Sequence, residues 1–181
     1  MIVTPDDKLP DVLKIEPRVF GDSRGFFFEV FQQERYTTSG LSQAFVQDNV
    51  SRSSRGTLRG LHFQLVRPQA KLIQVIRGEI FDVAVDVRKS SPTFGQWMGC
   101  RLSDVNHHQL YVPAGFAHGF CVISETADVL YKCTDYYFPQ HERCLLWNDP
   151  TVGIAWPLED FPILSAKDQQ GQTLANLESF D

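Results

Sequence analysis

In the run Gly56-Thr57-Leu58-Arg59-Gly60-Leu61-His62-Phe63-Gln64, an arginine and a histidine interrupt a segment apolar enough to be buried. Neither residue is common inside a strand without a partner or a task. A neutral imidazole oriented by a carboxylate can act as a general base. A guanidinium grips phosphate through its planar fork of donors. Strand alternation places Leu58, Gly60, His62 and Gln64 on one face and Arg59 on the other. For Arg59 and His62 to meet one ligand the strand must bulge or twist, and Gly60 between them permits this. A lone histidine would ordinarily be read as a hydrogen-bonded core residue. His62 departs from that reading because of the charge around it.

From Asn49 to Gly78 there is no acidic residue, yet the stretch holds Arg52, Arg55, Arg59, Arg67, Lys71 and Arg77. The whole chain carries a net charge of −5, which argues against general nucleic-acid binding. One basic segment in an acidic protein suits a small anion such as a phosphate ester. A solvated basic face is the plainer explanation of a charge run. Here the basic residues interrupt apolar strands, which favours a pocket. Farther on, Val129, Tyr131, Cys133, Asp135 and Tyr137 share strand parity, and Tyr131 is a candidate proton donor across from His62. Inward tyrosines are also common as core residues.

The elements that must position these groups read as short strands. They fall at 12–19 (an edge strand, because of Pro17), 26–31 (buried), 45–51, 58–64, 97–102, 109–112, 119–123, 129–138 and 143–147. Residues 71–88 read as two strands joined by a hairpin turn at Arg77-Gly78-Glu79. In the second of these, Phe81, Val83, Val85 and Val87 face one way, and Asp82, Ala84 and Asp86 the other. Short helices are expected at 32–42 and 167–177. This pattern predicts an all-β fold, a double-sheet jelly roll with short peripheral helices, as a single domain over 1–181. His107 and His108 would face opposite ways on a strand and belong in a turn or in solvent.

Cysteines 100, 121, 133 and 144 show no C-x-x-C spacing, so reduced, packed thiols are expected. No run is long and apolar enough to span a membrane, and MIVTPDDKLP lacks a signal-peptide pattern, so a cytoplasmic protein with no membrane partner is expected. No Gly-rich dinucleotide loop is present.

Pro113-Ala114-Gly115-Phe116-Ala117-His118 resembles the second half of the cupin signature. The first half in metal-binding cupins supplies His-x-His, where this chain has His62-Phe63-Gln64. Glutamine is a poor ligand, so a catalytic metal is not expected. The resemblance then widens along the chain. D-x-RG-x-F-x-E at 22–29, Q-x-N-x-S at 47–51, G-x-LRGLHFQ at 56–64 and KLIQVIRGEIFDVAVDVR at 71–88 are followed by FGQW, PAGFAHGF and YKCTDYY. WNDP, GIAWP and LSAKD complete the series. Together these motifs identify the chain as resembling the dTDP-4-dehydrorhamnose 3,5-epimerases.

The resemblance implies a cupin, free of metal and of cofactors, that epimerises C3 and C5 of dTDP-4-dehydro-6-deoxy-D-glucose. It implies His62 as base, Asp168 as its partner, Tyr131 as acid and Lys71 beside the sugar ketone. Contacts to nucleotide and phosphate would fall on Arg24, Glu29, Gln47, Asn49, Arg59, His118, Tyr137, Glu142 and Lys167. It further implies a homodimer with exchanged N-terminal strands, in which Arg24 and Glu29 serve the neighbouring subunit's site. The chain departs from the family at 62–71, which is a residue shorter than usual and carries Val66-Arg67-Pro68. A 3- or 5-monoepimerase of a related 4-keto-deoxysugar would carry similar motifs. A non-catalytic nucleotide-sugar-binding cupin would be expected to lack His62, Tyr131 or Asp168, and all three are present. A metal-dependent cupin oxygenase would need the missing His-x-His.

Overall fold

The computed structural model describes residues 1–181. Two antiparallel sheets face each other. One runs, in spatial order, β1 (Ile2–Pro5), β2 (Leu13–Glu16), β10 (Gln109–Val112), β7 (Lys71–Arg77), β12 (Thr126–Cys133) and β5 (Gln47–Ser54). The other runs β13 (Glu142–Cys144), β6 (Leu58–Gln64), β11 (Phe116–Val122), β8 (Glu79–Asp86) and β9 (Trp97–Ser103). A separate hairpin pairs β3 (Phe20–Asp22) with β4 (Gly25–Phe27). The helices are short: α1 (Gln33–Thr38) and α2 (Ala166–Gln169). This is the all-β, cupin-type double-sheet jelly roll expected, and no helix is long and apolar enough to cross a membrane.

Three apolar layers hold the sheets. Between them lie Ile73, Val75, Leu110 and Val129 from one sheet and Ile80, Ala84, Phe120 and Val122 from the other. Outside the five-stranded sheet, Leu61, Phe63, Val83 and Val85 pack under Leu145, Val152, Leu174 and Leu177 of the C-terminal segment. Outside the six-stranded sheet, Ile15, Leu72 and Tyr111 are covered by Tyr36 of α1 and Leu41. Each fully buried side chain of this size contributes roughly 1.5–3 kcal/mol of transfer free energy. The alternation of β8 is as expected: Phe81, Val83, Val85 and Val87 join the outer layer, while Ala84 joins the inner one.

Several expectations are corrected. Arg77-Gly78-Glu79 is not a hairpin turn, because β7 and β8 belong to different sheets. It is a corner at which the chain changes sheets. Gly78 makes the corner possible: φ is +82°, and a Cβ there would lie 2.1 Å from the Thr126 carbonyl oxygen. The strand at 12–19 stops at Glu16, before Pro17, and pairs on both sides; β1 is the edge. The run at 26–31 is not a buried strand, since Phe26 and Phe27 are 62% and 70% exposed. The strand at 129–138 ends at Cys133, so Asp135 and Tyr137 lie in a loop rather than on its inner face. The helix at 167–177 shrinks to α2, with a turn after it. His107 sits in the turn after β9, as expected, with φ at +55°.

The strand carrying Arg59 and His62 does bulge. Its register against β11 passes from Arg59↔Phe120 to His62↔His118, so β6 carries one extra residue between them. That residue restores Arg59 and His62 to a common face. Gly60 has φ +116°, and a Cβ on it would lie 2.7 Å from both the Gly119 Cα and the His118 carbonyl oxygen. Gly119 is equally confined, with the Arg59 carbonyl oxygen 2.6 Å from a hypothetical Cβ. Gly60→Ala should therefore cost about 2–3 kcal/mol and lower Tm by about 5 °C or more in a thermal melt. An unchanged Tm would show that the bulge tolerates a side chain.

Candidate active site

Each inner row of the sandwich turns from apolar to polar at the same end. Along β7 the row is Val75, Ile73, Lys71; along β12, Val129, Tyr131, Cys133; along β11, Val122, Phe120, His118. Gln47, Asn49 and Ser51 of β5 and Arg59 and His62 of β6 complete the walls of a cavity of about 520 Å³. The size suits one small-molecule ligand. The acid-free basic segment is only partly a pocket lining. Arg59 and Lys71 face the cavity, while Arg52 pairs with Asp128 and Arg67 with Asp135.

His62 Nε2 lies 2.6 Å from Asp168 Oδ1. Ser165 caps α2 and places this carboxylate. Its Oγ accepts from the Asp168 N–H at 3.2 Å and donates to Asp168 Oδ2 at 2.7 Å. The Gly60 N–H, inside the bulge, reaches the same Asp168 Oδ1 at 3.4 Å. Burial by itself would raise the Asp168 pKa, but the hydrogen bonds from His62 and Ser165 outweigh it and hold the carboxyl below its usual range. His62 is pushed below its ordinary 6.5, chiefly by burial, with the Asp168 hydrogen bond pulling the other way. With Nε2 engaged by the carboxylate, Nδ1 is the nitrogen left to accept a proton.

Tyr131 stands on the opposite sheet, on the opposite wall of the cavity. Burial raises its pKa above 10, so the phenol keeps its proton. Lys71 donates from Nζ to the His62 carbonyl oxygen at 3.3 Å, and burial lowers its pKa from 10.5. His118 forms a second buried pair, with Nε2 at 2.9 and 3.0 Å from the two Asp82 oxygens. Toward the mouth, Glu142 Oε2 accepts from Lys167 Nζ at 2.7 Å and from the Tyr137 hydroxyl at 3.0 Å. Gln47 Nε2 donates to Asn49 Oδ1 at 3.0 Å, and Arg59 Nε donates to Ser53 Oγ at 2.9 Å.

Of the thirteen residues expected at the site, the structure gathers all but Arg24 and Glu29 around this cavity. Arg24 is at the exposed tip of the β3–β4 hairpin, paired with Asp22. Glu29 faces Arg35 at 3.3 Å in a separate groove. Sequence reasoning missed Ser165, Asp82 as the partner of His118, and Gln69 on the cavity wall. Ser165 had a signal, since Ser-x-x-Asp opens α2 as a capping pattern. Cys144 sits beside His62 and Asp168, opposite His62 in the β13–β6 register. The ligand atoms of the three lie within 4.8 Å of one another, and His62 Nε2 is joined to Asp168 Oδ1 by a direct hydrogen bond. The Cys144 thiol is pushed up to about 12 by burial.

A family profile for dTDP-4-dehydrorhamnose 3,5-epimerase matches residues 6–176. The chain belongs to this family. It is 57% identical over 173 residues to a dTDP-4-dehydrorhamnose 3,5-epimerase of Pseudomonas aeruginosa, covering 95% of this chain and 96% of the relative. The fold matches the crystal structure of the 3,5-epimerase of Legionella pneumophila in complex with dTDP-4-keto-L-rhamnose. That match has a TM-score of 0.94 and 49% identity, and covers 97% of this chain and 93% of the other. A 3′-monoepimerase of Streptomyces bikiniensis in complex with dTDP-quinovose also matches, with a TM-score of 0.89 at 35% identity, covering 95% and 87%.

An epimerase of this family is an isomerase: it changes configuration with no net oxidation. Such chemistry asks for proton transfer on two faces of one carbon. The cavity presents an imidazole on one wall and a phenol on the other. The His62–Asp168 contact can be tested by NMR titration. His62 should titrate below 6.5. Because Asp168 favours the imidazolium, Asp168→Asn should lower the value further, while a rise would contradict the direct contact.

Proposed function

We propose that this chain epimerises C3 and C5 of dTDP-4-dehydro-6-deoxy-D-glucose through an enolate, with His62 as base and Tyr131 as acid. Both carbons flank the C4 ketone, so their protons become acidic as the enolate is stabilised. His62 Nδ1 takes a proton from one face of the ring. The C–H electron pair moves into the C3–C4 or C4–C5 bond, and the carbonyl π pair moves onto oxygen. Lys71 brings its Nζ donor to that oxygen. One oriented donor of this kind is worth about 3 kcal/mol. Tyr131 then returns a proton to carbon from the other face, and both side chains recover their protonation states by exchange with water.

The observation that carries this reading is the placement of His62 and Tyr131 on facing sheets across one cavity, with Lys71 in the same wall. Arg59 and Lys167 supply the cations that would hold the diphosphate, with His118 beside them on the cavity wall, fixing the sugar between base and acid. No hydride moves, so the reaction calls for no nicotinamide.

Incubation with this substrate in deuterated water should place deuterium at both C3 and C5. His62→Ala should abolish exchange at both carbons, by a factor of about 10² or more. Tyr131→Phe should retain some exchange while losing the inverted product. Exchange at one carbon in the native protein would select monoepimerisation, and no exchange at all would reject the enzyme assignment.

The same proposal includes a homodimer in which the N-terminal strands are exchanged. The β3–β4 hairpin supports it, since Phe20, Phe26 and Phe27 are each more than half exposed and await a cover. Arg24, exposed at the hairpin tip, would then reach the neighbouring subunit's nucleotide. Light scattering should give twice the chain mass. Arg24→Ala should raise KM about tenfold with the dimer intact. A monomer, or an unchanged KM, would remove the hairpin from the site.

A further inference from the structure

We propose that Arg67, in the shortened segment between β6 and β7, is a positioning residue. It locks the rim of the cavity and so sets nucleotide affinity. The inference rests on the proposed function above. Two loops leave the sheets side by side here. Residues 65–70 lead into Lys71, and residues 134–138 follow Cys133, and these two residues are paired in register. The Ala70 N–H donates to Thr134 Oγ1 at 2.8 Å, and the Thr134 N–H donates to the Ala70 carbonyl at 3.1 Å.

Beyond that first link the clasp depends on side chains. Arg67 meets Asp135 in a two-point contact, Nε to Oδ2 at 2.8 Å and Nη2 to Oδ1 at 2.7 Å. Its guanidinium also lies 4.5 Å from the centre of the Phe138 ring. Underneath, buried Gln64 ties both loops. Its Nε2 donates to the carbonyls of Arg67 and Tyr136 at 2.8 and 3.1 Å, and its Oε1 accepts from the Phe138 N–H. Arg67 has φ +63°, a conformation that a non-glycine residue keeps only when its surroundings hold it.

The clasp encloses Tyr137. Its N–H donates to Gln47 Oε1 and its hydroxyl to Glu142 Oε2, each at 3.0 Å, and its side chain lines the cavity. Gln69, on the other loop, lines the same cavity while donating to the Asp135 carbonyl at 2.7 Å. Tyr137 is 48% exposed and so stands at the mouth. His62, Tyr131 and Lys71 stand on the sheets. On the proposed function the sugar would occupy the deep end, beside these groups, and the nucleotide the rim. Loosening the rim should weaken nucleotide binding and leave the proton-transfer groups in place. Lysine cannot replace Arg67, because it offers neither the fork nor the flat face over Phe138.

The test pairs steady-state kinetics with calorimetric binding of dTDP, which requires no turnover. Arg67→Ala and Asp135→Asn should each raise KM and the dTDP Kd about tenfold, with kcat within about twofold of native. The double variant should be no worse than either single one, since both remove the same link. Arg67→Lys should behave like Arg67→Ala. The exchanged pair Arg67→Asp with Asp135→Arg should recover part of the lost affinity. Unchanged KM and Kd, or additive losses in the double variant, would overturn the proposal. A fall in kcat that tracks a fall in Tm would reduce Arg67 to a structural role. Failure of the native protein to epimerise would reject the function alone, since the dTDP arm still reads the clasp.

Discussion

The close approach of two backbones at Gly60 and Gly119 governs the site. Where β6 pairs with β11 there is no room for a Cβ at either glycine. The space is taken by a bulge that adds one residue to β6 between Arg59 and His62. Without that residue the two side chains would alternate, one toward the cavity and one toward the outer apolar layer. With it, both enter the cavity, and Leu61 and Phe63 still reach the outer core. The bulge also turns the Gly60 N–H toward Asp168, so the element that aims the imidazole also helps hold its carboxylate. Fold and site therefore share a single constraint.

The interior has two chemical halves. At one end, side chains from both sheets close a dry core. At the other, the same rows continue as Lys71, Tyr131 and His118 and leave an open cavity. Buried ionisable groups are costly unless paired, and removing one partner of a buried pair typically costs about 3–5 kcal/mol. The buried carboxylates of the site follow that rule. Asp168 is matched by His62 and Ser165, and Asp82 by His118. Lys71 leans on a backbone carbonyl, and burial lowers its pKa. Burial likewise lowers the pKa of His62 and raises that of Tyr131. Both therefore favour their neutral forms, one able to accept a proton and the other to give one. This division suits an epimerase, which must move protons without consuming them.

Much of this was legible in the chain. Strand alternation placed Phe81, Val83, Val85 and Val87 together, and Pro and Gly punctuation gave the all-β class. Motif resemblance indicated the family and most of the cavity residues. The errors came from contacts between distant segments. A Gly-centred turn looks the same whether the next strand pairs with its neighbour or crosses to the other sheet; after Gly78 the chain crosses, with β7 between β10 and β12 and β8 between β11 and β9. Phe26 to Phe28 look like core because hydrophobicity says nothing about what covers them. The long strand after Val129 ends early because Thr134 and Asp135 are claimed by the neighbouring loop.

By itself the sequence determined residue types and their local alternation: which side chains could accept a proton, grip a phosphate or pack in a core. It also located the one glycine at which β6 could depart from alternation. Only the tertiary structure decided which of these groups meet. His62 and Asp168 are separated by 106 positions, and Arg67 and Asp135 by 68, yet each pair is in contact. The physical reason is that local sequence sets the direction of each strand's side chains. Which strands face each other across the cavity follows from burying all three apolar layers at once.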